Sequence, residues 1–392
     1  MIAFKDTFYM LNSGLFYTKG QGERRVIVFT MSKPEPLNTA FTRQFGVPYP
    51  IIAAPMFLVS DVDMVAAAGN AGGMGTFPAL NFRPIEKYRE AIHEVKKRSQ
   101  APFGINIIVQ KKNKFQHEHL SIALEEKVPL LITSLGSPKE VIRAAEGSGT
   151  KVYCDVVGLE HAKKVADLGA DGLIAVGAGA GGHAGNTSLL ALIPQLRRHL
   201  DLPIIAAGSI VDGSGMAAAF ALGASAAYMG TRFIASKECK VDEAYKRAIL
   251  DAEPEEIVNT DRVDGFPGNF ILTESLARLG LEPTLIEAIL TRSKRLKRGL
   301  SLLRAARALL GDQGKKASYR TIFSAGHGVA LIDSVKTAEE IEKIAIAGKI
   351  LKKTIDILRE ETKEGVTLTA LDRLAKKIIE EKLKIFGSVN KI

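Results

Sequence analysis

Eight short apolar runs, rich in β-branched residues and each followed by an amphipathic stretch, recur at intervals of roughly 20–30 residues along this chain. The runs are Pro50–Ala54, Gly73–Phe77, Phe103–Val109, Pro129–Thr133, Lys151–Val156, Gly172–Val176, Pro203–Ala207 and Ala226–Met229. Several hold almost no polar residue, as expected of parallel strands covered on both faces. The segments between them fit helices over Asp61–Ala71, Pro84–Gln100, Phe115–Glu126, Pro138–Gly147, Leu159–Leu168, Ser188–His199 and Gly213–Leu222. Eight such units favour a closed (β/α)8 TIM barrel over an open doubly wound sheet. A barrel of this kind occupies about 250 residues, so a 392-residue chain leaves room for additions.

Three additions are expected. Residues 1–30 show no clear periodicity, and Met31 opens a stretch that reads like a natural N-terminus; the first thirty residues are expected to be disordered or a mis-called upstream extension. The barrel unit then spans 31–334. Within it, residues 235–320 repeat leucine and isoleucine at helical spacing, from Leu276, Leu279, Leu281 and Leu285 to Ile286 and Ile289–Leu290, which predicts a helical insertion after the eighth strand. The chain returns at Phe323–Ile332. From 335 to 392 a helical hairpin is expected: Thr337 and Glu340 have capping-box spacing, Ile341, Ile344, Gly348, Leu351, Ile355 and Leu358 mark one face, and Gly365 separates a second helix with Leu371, Leu374, Ile378 and Ile379 inward.

Composition excludes several classes. No apolar run approaches the roughly 20 residues that span a bilayer, and Val26–Thr30 is too short for a signal-peptide core. A cytoplasmic protein with no membrane partner is expected. The two cysteines, Cys154 and Cys239, cannot form a disulfide framework, and no ligand-spaced Cys/His cluster appears, so no metal is expected. The net charge of +10 comes from lysine and arginine interleaved with glutamate, densest at Arg292–Arg298. That pattern reads as a solvated helix face, or as attraction for anionic substrates. No nucleic-acid motif accompanies it, and the oligomeric state is not legible.

The most informative stretch is GAGAGGHAG, Gly177–Gly185, directly after the sixth strand. Gly177, Gly179 and Gly182 match G-x-G-x-x-G, but no helix opens at the last glycine, and Asp201 precedes its strand where the dinucleotide fingerprint needs an acid at a strand end. On a barrel's catalytic face, the glycines would instead let backbone approach a flat ligand. His183 would stand on that shelf as a base or as a hydrogen-bonding group for an anion. The loops after strands seven and eight carry Gly208, Ser209, Gly230 and Thr231. Barrels commonly bind phosphate there, through backbone N–H groups. Ala54, Pro55 and Met56 end strand one, Asn106 lies on strand three and Ser134 ends strand four, so each points toward the barrel mouth. A buried Asn106 needs partners, which the edge of a bound planar ligand would supply.

Together PIIAAPMFLVS, NAGGMGTFPALNFRP, FGINIIV, GAGAGGHAG, AAGSI and YMGTRF resemble the nitronate monooxygenase (2-nitropropane dioxygenase) family over about residues 40–335. The resemblance implies an FMN-binding barrel that oxidises alkyl nitronates with O2 to carbonyl compounds and nitrite. It implies flavin contacts from Ala54, Pro55, Met56, Asn106, Gly181 and Gly182, phosphate contacts from Gly208, Ser209, Gly230 and Thr231, and a catalytic His183. The chain departs from the family pattern at Gly179, where an acid is frequent, at Ser209, where glycine is frequent, and at His327, where glutamine is frequent. An FMN- and NAD(P)H-dependent enoyl-acyl carrier protein reductase shares the barrel and the G-G-H loop, and a non-catalytic flavin- or phosphate-ligand-binding barrel is the reading from another class. The tail from Val335 resembles the start of a type I methionine aminopeptidase without its metal-ligand part, so no peptidase activity is expected.

Overall fold

The computed structural model describes residues 8–10, 15–19, 24–28, 38–110, 112–279, 321–344 and 368–385. Residues 1–36 form a separate unit. Where disorder was expected, its backbone makes a three-stranded antiparallel sheet of β1 (Phe8–Met10), β2 (Leu15–Lys19) and β3 (Arg24–Val28). Alternation of aromatic and β-branched residues in β2 and β3 suits strand better than coil.

The rest of the chain is organised by a closed eight-stranded parallel barrel. Its strands are β4 (Ile51–Ala53), β5 (Met74–Pro78), β6 (Gly104–Ile108), β7 (Leu130–Ser134), β8 (Lys151–Val156), β9 (Gly172–Val176), β11 (Ile204–Ala207) and β12 (Ala226–Met229), and β12 closes onto β4. The two-residue β10 (Gly182–His183) lies outside the barrel. All eight strands lie where the apolar runs predict them. Both faces are apolar because each has its own core. Ile52, Met74, Leu130, Ile132, Tyr153, Ile174, Ile205 and Ala226 fill the barrel interior, while their neighbours Ile51, Phe77, Leu131, Cys154, Leu173, Ile204 and Ala227 pack outward against the helices.

Helix α1 (Ala40–Phe45) closes the N-terminal end of the barrel. Its Phe41 and Phe45 join the interior cluster, and the Tyr153 hydroxyl donates to Gln44 at 2.6 Å. The seven expected helices follow as α2 (Val62–Asn70), α3 (Ile85–Arg98), α4 (Gln116–Glu125), α5 (Lys139–Ala145), α6 (Leu159–Asp167), α7 (Leu189–His199) and α8 (Gly213–Ala221). With one end plugged, the C-terminal ends of the strands are left as the open mouth.

The insertion after β12 corrects the all-helical expectation. It holds α9 (Thr231–Ile234), α10 (Glu243–Asp251) and α11 (Glu274–Ala277), but also β13 (Ile257–Thr260) and β14 (Gly268–Ile271). These strands pair with β10 in a small antiparallel sheet ordered β10-β14-β13. The Asp-Gly and Pro-Gly steps between them are turn signals that the leucine spacing downstream overshadowed. Residues 280–320, with Leu281, Leu285, Ile286, Ile289, Leu290 and the Arg292–Arg298 run, lie outside the described residues. No helix among the described residues is long and apolar enough to cross a membrane.

In the tail, Thr337 and Glu340 form the expected capping box at the start of α12 (Ala338–Glu342), and α13 spans Leu368–Ile385 with Leu371 and Leu374 half-buried. Gly348, Leu351, Ile355, Leu358 and Gly365 lie outside the described residues. Helix α12 packs on α2 and drives Glu342 into the interior. A Cβ on Gly73 would lie 2.2 Å from its Oε1, and neither carboxyl oxygen finds a hydrogen-bond partner among the described residues. Burial pushes this carboxyl well above the ordinary range. A group whose folded pKa is raised holds its proton more tightly when folded. Its penalty is therefore absent below the unfolded value of about 4.3 and grows as pH rises toward the folded value. Glu342→Gln, which is isosteric but cannot ionise, is expected to add about 1–2 kcal/mol of stability at pH 8 and little at pH 4. Thermal unfolding of both proteins at the two pH values checks this; equal gains at both would remove ionisation as the cause.

Candidate active site

At the mouth the inward-facing positions turn polar. Asn106 on β6, Ser134 on β7 and Asp155 on β8 form a hydrogen-bonded row across adjacent strands. Asn106 Nδ2 donates to Ile132 O at 3.2 Å and to Ser134 Oγ at 2.7 Å, and Ser134 Oγ donates to Asp155 Oδ2 at 2.5 Å. Because the serine proton goes to Asp155, only the amide nitrogen of Asn106 can face Ser134, and Asn106 Oδ1 is turned elsewhere. So the amide group of Asn106 finds its partners within the protein. Burial pushes Asp155 up to about 6, against the hydrogen bond from Ser134 and the charge of His183, which both favour its ionised form.

The glycine loop after β9 is held from outside the barrel. Asn269 on β14 donates to Ala178 O at 2.8 Å and to Ala180 O at 2.7 Å, and its own Oδ1 accepts from Asn259 Nδ2 at 2.9 Å. The loop then enters β10, where Gly182 pairs with Asn269 and His183 with Gly268. The His183 ring reaches Asp264 in the β13–β14 turn, with Nε2 2.8 Å from Oδ2. Phe266 of the same turn meets the ring edge-to-face at 5.6 Å. The Asp264 side chain is 9% exposed and that of His183 42%, so a buried acid orients a ring that solvent and ligands can reach. Pairing with a carboxylate puts a ring proton on Nε2, so that in the neutral ring Nδ1 is the nitrogen that accepts.

Gly208 and Ser209 follow β11, and Gly230 and Thr231 follow β12. The amides of all four donate to no carbonyl among the described residues. Gly208 has φ +137, and a Cβ there would stand 3.0 Å from Ala180 N, so only glycine fits between the two loops. Ser209, at φ +53, donates its hydroxyl to Gly179 O at 3.0 Å, which commits that proton within the protein. Thr231 Oγ1 accepts from Gly326 N at 3.0 Å and keeps its own proton to donate. On the adjacent strand end, after β4, Ser60 accepts from Met56 N at 2.8 Å and donates to Ala54 O at 3.1 Å, closing the Ala54–Pro55–Met56 turn. Met56 Sδ would lie 3.5 Å from a Cβ on Gly230, so the ends of β4 and β12 meet there.

The structure thus gathers at one mouth the strand-end residues Ala54, Pro55, Met56, Asn106 and Ser134, the glycine shelf of Gly181 and Gly182 bearing His183, and the paired turns of Gly208–Ser209 and Gly230–Thr231. Sequence reasoning missed Asp155, Asp264, Phe266 and Asn269. The first had a signal: it is the single acid in the run KVYCDV, on the same side as Tyr153.

A parallel barrel with a glycine shelf, an oriented histidine and a pair of open-amide turns at its C-terminal mouth defines a cofactor-dependent TIM-barrel enzyme. A family model for nitronate monooxygenase matches residues 38–345, and the chain belongs to that family of flavin oxidoreductases. It is 30% identical over 361 residues to a nitronate monooxygenase of Paraburkholderia phytofirmans, covering 80% of this chain and 95% of that protein. It is 32% identical over 238 residues to an octahydro-indene-carboxyl-CoA dehydrogenase of Rhodococcus jostii, covering 61% and 67%. Among solved structures, FabK from Thermotoga maritima superposes with a TM-score of 0.70 at 32% identity, covering 83% of this chain and 99% of that one.

Proposed function

We propose that the chain binds FMN at the barrel mouth and oxidises alkyl nitronates with O2 to carbonyl compounds and nitrite. The observation that carries the reading is the His183–Asp264 pair on the glycine shelf, 2.8 Å apart, in a chain 30% identical to a nitronate monooxygenase. The residues suit the cofactor. Four backbone amides that donate to no carbonyl among the described residues, at Gly208, Ser209, Gly230 and Thr231, follow the neighbouring strands β11 and β12, where a phosphate would be held. Gly181, packed so closely on Ala325–Gly326 that a Cβ would lie 2.8 Å from Ala325 C, and Gly182 would offer backbone to a flat ring, and Ala54, Pro55, Met56, Asn106 and Ser134 would line the remaining edges. The bound flavin supplies the electron chemistry. His183 takes the α-proton of a neutral nitroalkane on Nδ1, or, once Nδ1 is protonated, donates from it to the nitronate anion, and Asp264 keeps the ring turned for either task. Phe266 covers the ring's outer edge and limits water there.

The test is the anaerobic visible spectrum of FMN-reconstituted protein before and after an alkyl nitronate is added. Loss of the oxidised flavin band supports nitronate oxidation. A bound flavin that ignores nitronate but bleaches with NAD(P)H supports a second reading, an enoyl-acyl carrier protein reductase, which the 32% identity to FabK favours. Failure to retain FMN would remove the cofactor assignment.

A further inference from the structure

The floor of the mouth carries an ionisable group that the proposed reaction does not use. Asp155 is half-buried at the mouth end of β8, yet its Oδ1 is sealed and meets no hydrogen-bond donor among the described residues. Its Oδ2 takes a single bond, from Ser134. A carboxylate in that position would leave one charged oxygen unsatisfied, whereas the neutral acid would not carry that charge. We infer that Asp155 is an anion gate: protonated, it leaves the floor neutral and admits an anionic substrate, and ionised, it repels one. The inference rests on the proposed reading of the mouth as the site of an anion.

The surroundings set the direction. Tyr228 faces Asp155 from β12 and is itself held well above its ordinary pKa by burial and by the Asp155 charge, so it stays a neutral phenol. From β6 and β7 come the uncharged Asn106 and Ser134. From β10 comes His183, whose positive charge favours the ionised acid, and Asp264 opposes that charge through its 2.8 Å contact with the ring. The inward positions at the ends of β9 and β11, Val176 and Ala207, are apolar and add no charge. Burial is the largest influence and holds the carboxyl near 6, so the gate closes as pH rises from mildly acidic to neutral. The sign is fixed: an anion that binds with Asp155 protonated takes up a proton, and its affinity falls with rising pH.

The test uses nitrate, a planar anion, titrated calorimetrically into FMN-reconstituted full-length protein between pH 5 and 8. The wild type is expected to lose affinity by roughly tenfold per pH unit above about 6. Asp155→Asn, which mimics the neutral acid, is expected to hold its pH 5 affinity across the range, and Ser134→Ala to move the midpoint upward by removing a hydrogen bond to the charged form. A wild-type pH dependence retained in Asp155→Asn would place the proton on His183 and overturn the gate, as would nitrate that never binds. If Asp155→Asn does not fold, an unmoved midpoint in Ser134→Ala overturns it instead. The same titration on flavin-free protein separates the two proposals, because the carboxyl repels an anion with or without the cofactor. Loss of FMN retention with the Asp155 dependence intact would sink the flavin assignment alone.

Discussion

His183→Asn is expected to lower turnover of a neutral nitroalkane by about 10²–10⁴-fold, the usual contribution of a positioned base, while FMN stays bound. The fold should tolerate the change. The ring is partly exposed, and the pairing of His183 with Gly268 that places β10 belongs to the backbone. The comparison of two substrates makes the experiment informative. If His183 acts only as a base, the pre-ionised nitronate, which has no α-proton to lose, should be turned over nearly as fast by the variant as by the wild type. If the imidazole also holds the anion, KM for nitronate rises as well. Asp264→Asn is expected to do less. The amide still meets the ring but no longer favours a proton on Nε2, so kcat should fall and its pH profile shift while KM changes little. An Asp264→Asn variant with wild-type kcat and pH profile would make that contact merely structural, and undiminished turnover in His183→Asn would remove His183 from the chemistry.

The barrel was legible because its strands are buried on both faces. A run such as Ile204–Ala207 needs no partner in sequence to declare itself, and the helices between runs carry a single apolar face. The mouth was legible through backbone demands: glycines recur where two loops approach within a methyl group's width, as at Gly208. What sequence reading lost is what depends on distant pairing. The strands Ile257–Thr260 and Gly268–Ile271 have four residues each, too few for alternation to stand out from helical spacing, and their meaning comes from β10 some 80 residues earlier. Misreading them as helix hid Asp264, Phe266 and Asn269 together. Ser209 follows β11, but nothing in its sequence context showed that its hydroxyl is committed to Gly179 O, 30 residues earlier; its amide donates to no carbonyl among the described residues. The tail illustrates the local case: Thr337 and Glu340 cap α12 as their spacing requires, since a cap depends on residues three apart and on nothing else.

Gly179→Glu, which restores the acid frequent in the family, is expected to destabilise the protein by about 2–4 kcal/mol and to weaken FMN retention, and Ser209→Gly in the same chain is expected to reverse most of that loss. A Cβ on residue 179 would lie 2.3 Å from Ser209 Oγ and 3.2 Å from its Cβ. The serine would have to turn away and give up its bond to Gly179 O. Overpacking of this kind costs about 1–3 kcal/mol, and the lost hydrogen bond roughly 0.5–1.5 kcal/mol. The carbonyl of Gly179 also accepts from His327 N at 3.3 Å, and a Cβ on Gly328 would stand 3.3 Å from Ser209 Cα. The three departures from the family pattern, at 179, 209 and 327, therefore meet at one place beside the glycine shelf, and they read as one coordinated change. Ser209→Gly alone should be nearly neutral, because it loses a hydrogen bond but relieves a side-chain-bearing residue at φ +53. Thermal unfolding and FMN dissociation constants for the two single variants and the double measure the coupling directly. Strictly additive effects would mean that the contact between residues 179 and 209 is incidental; a double variant close to wild type would mean that the family's usual acid at 179 is tolerated only with glycine at 209.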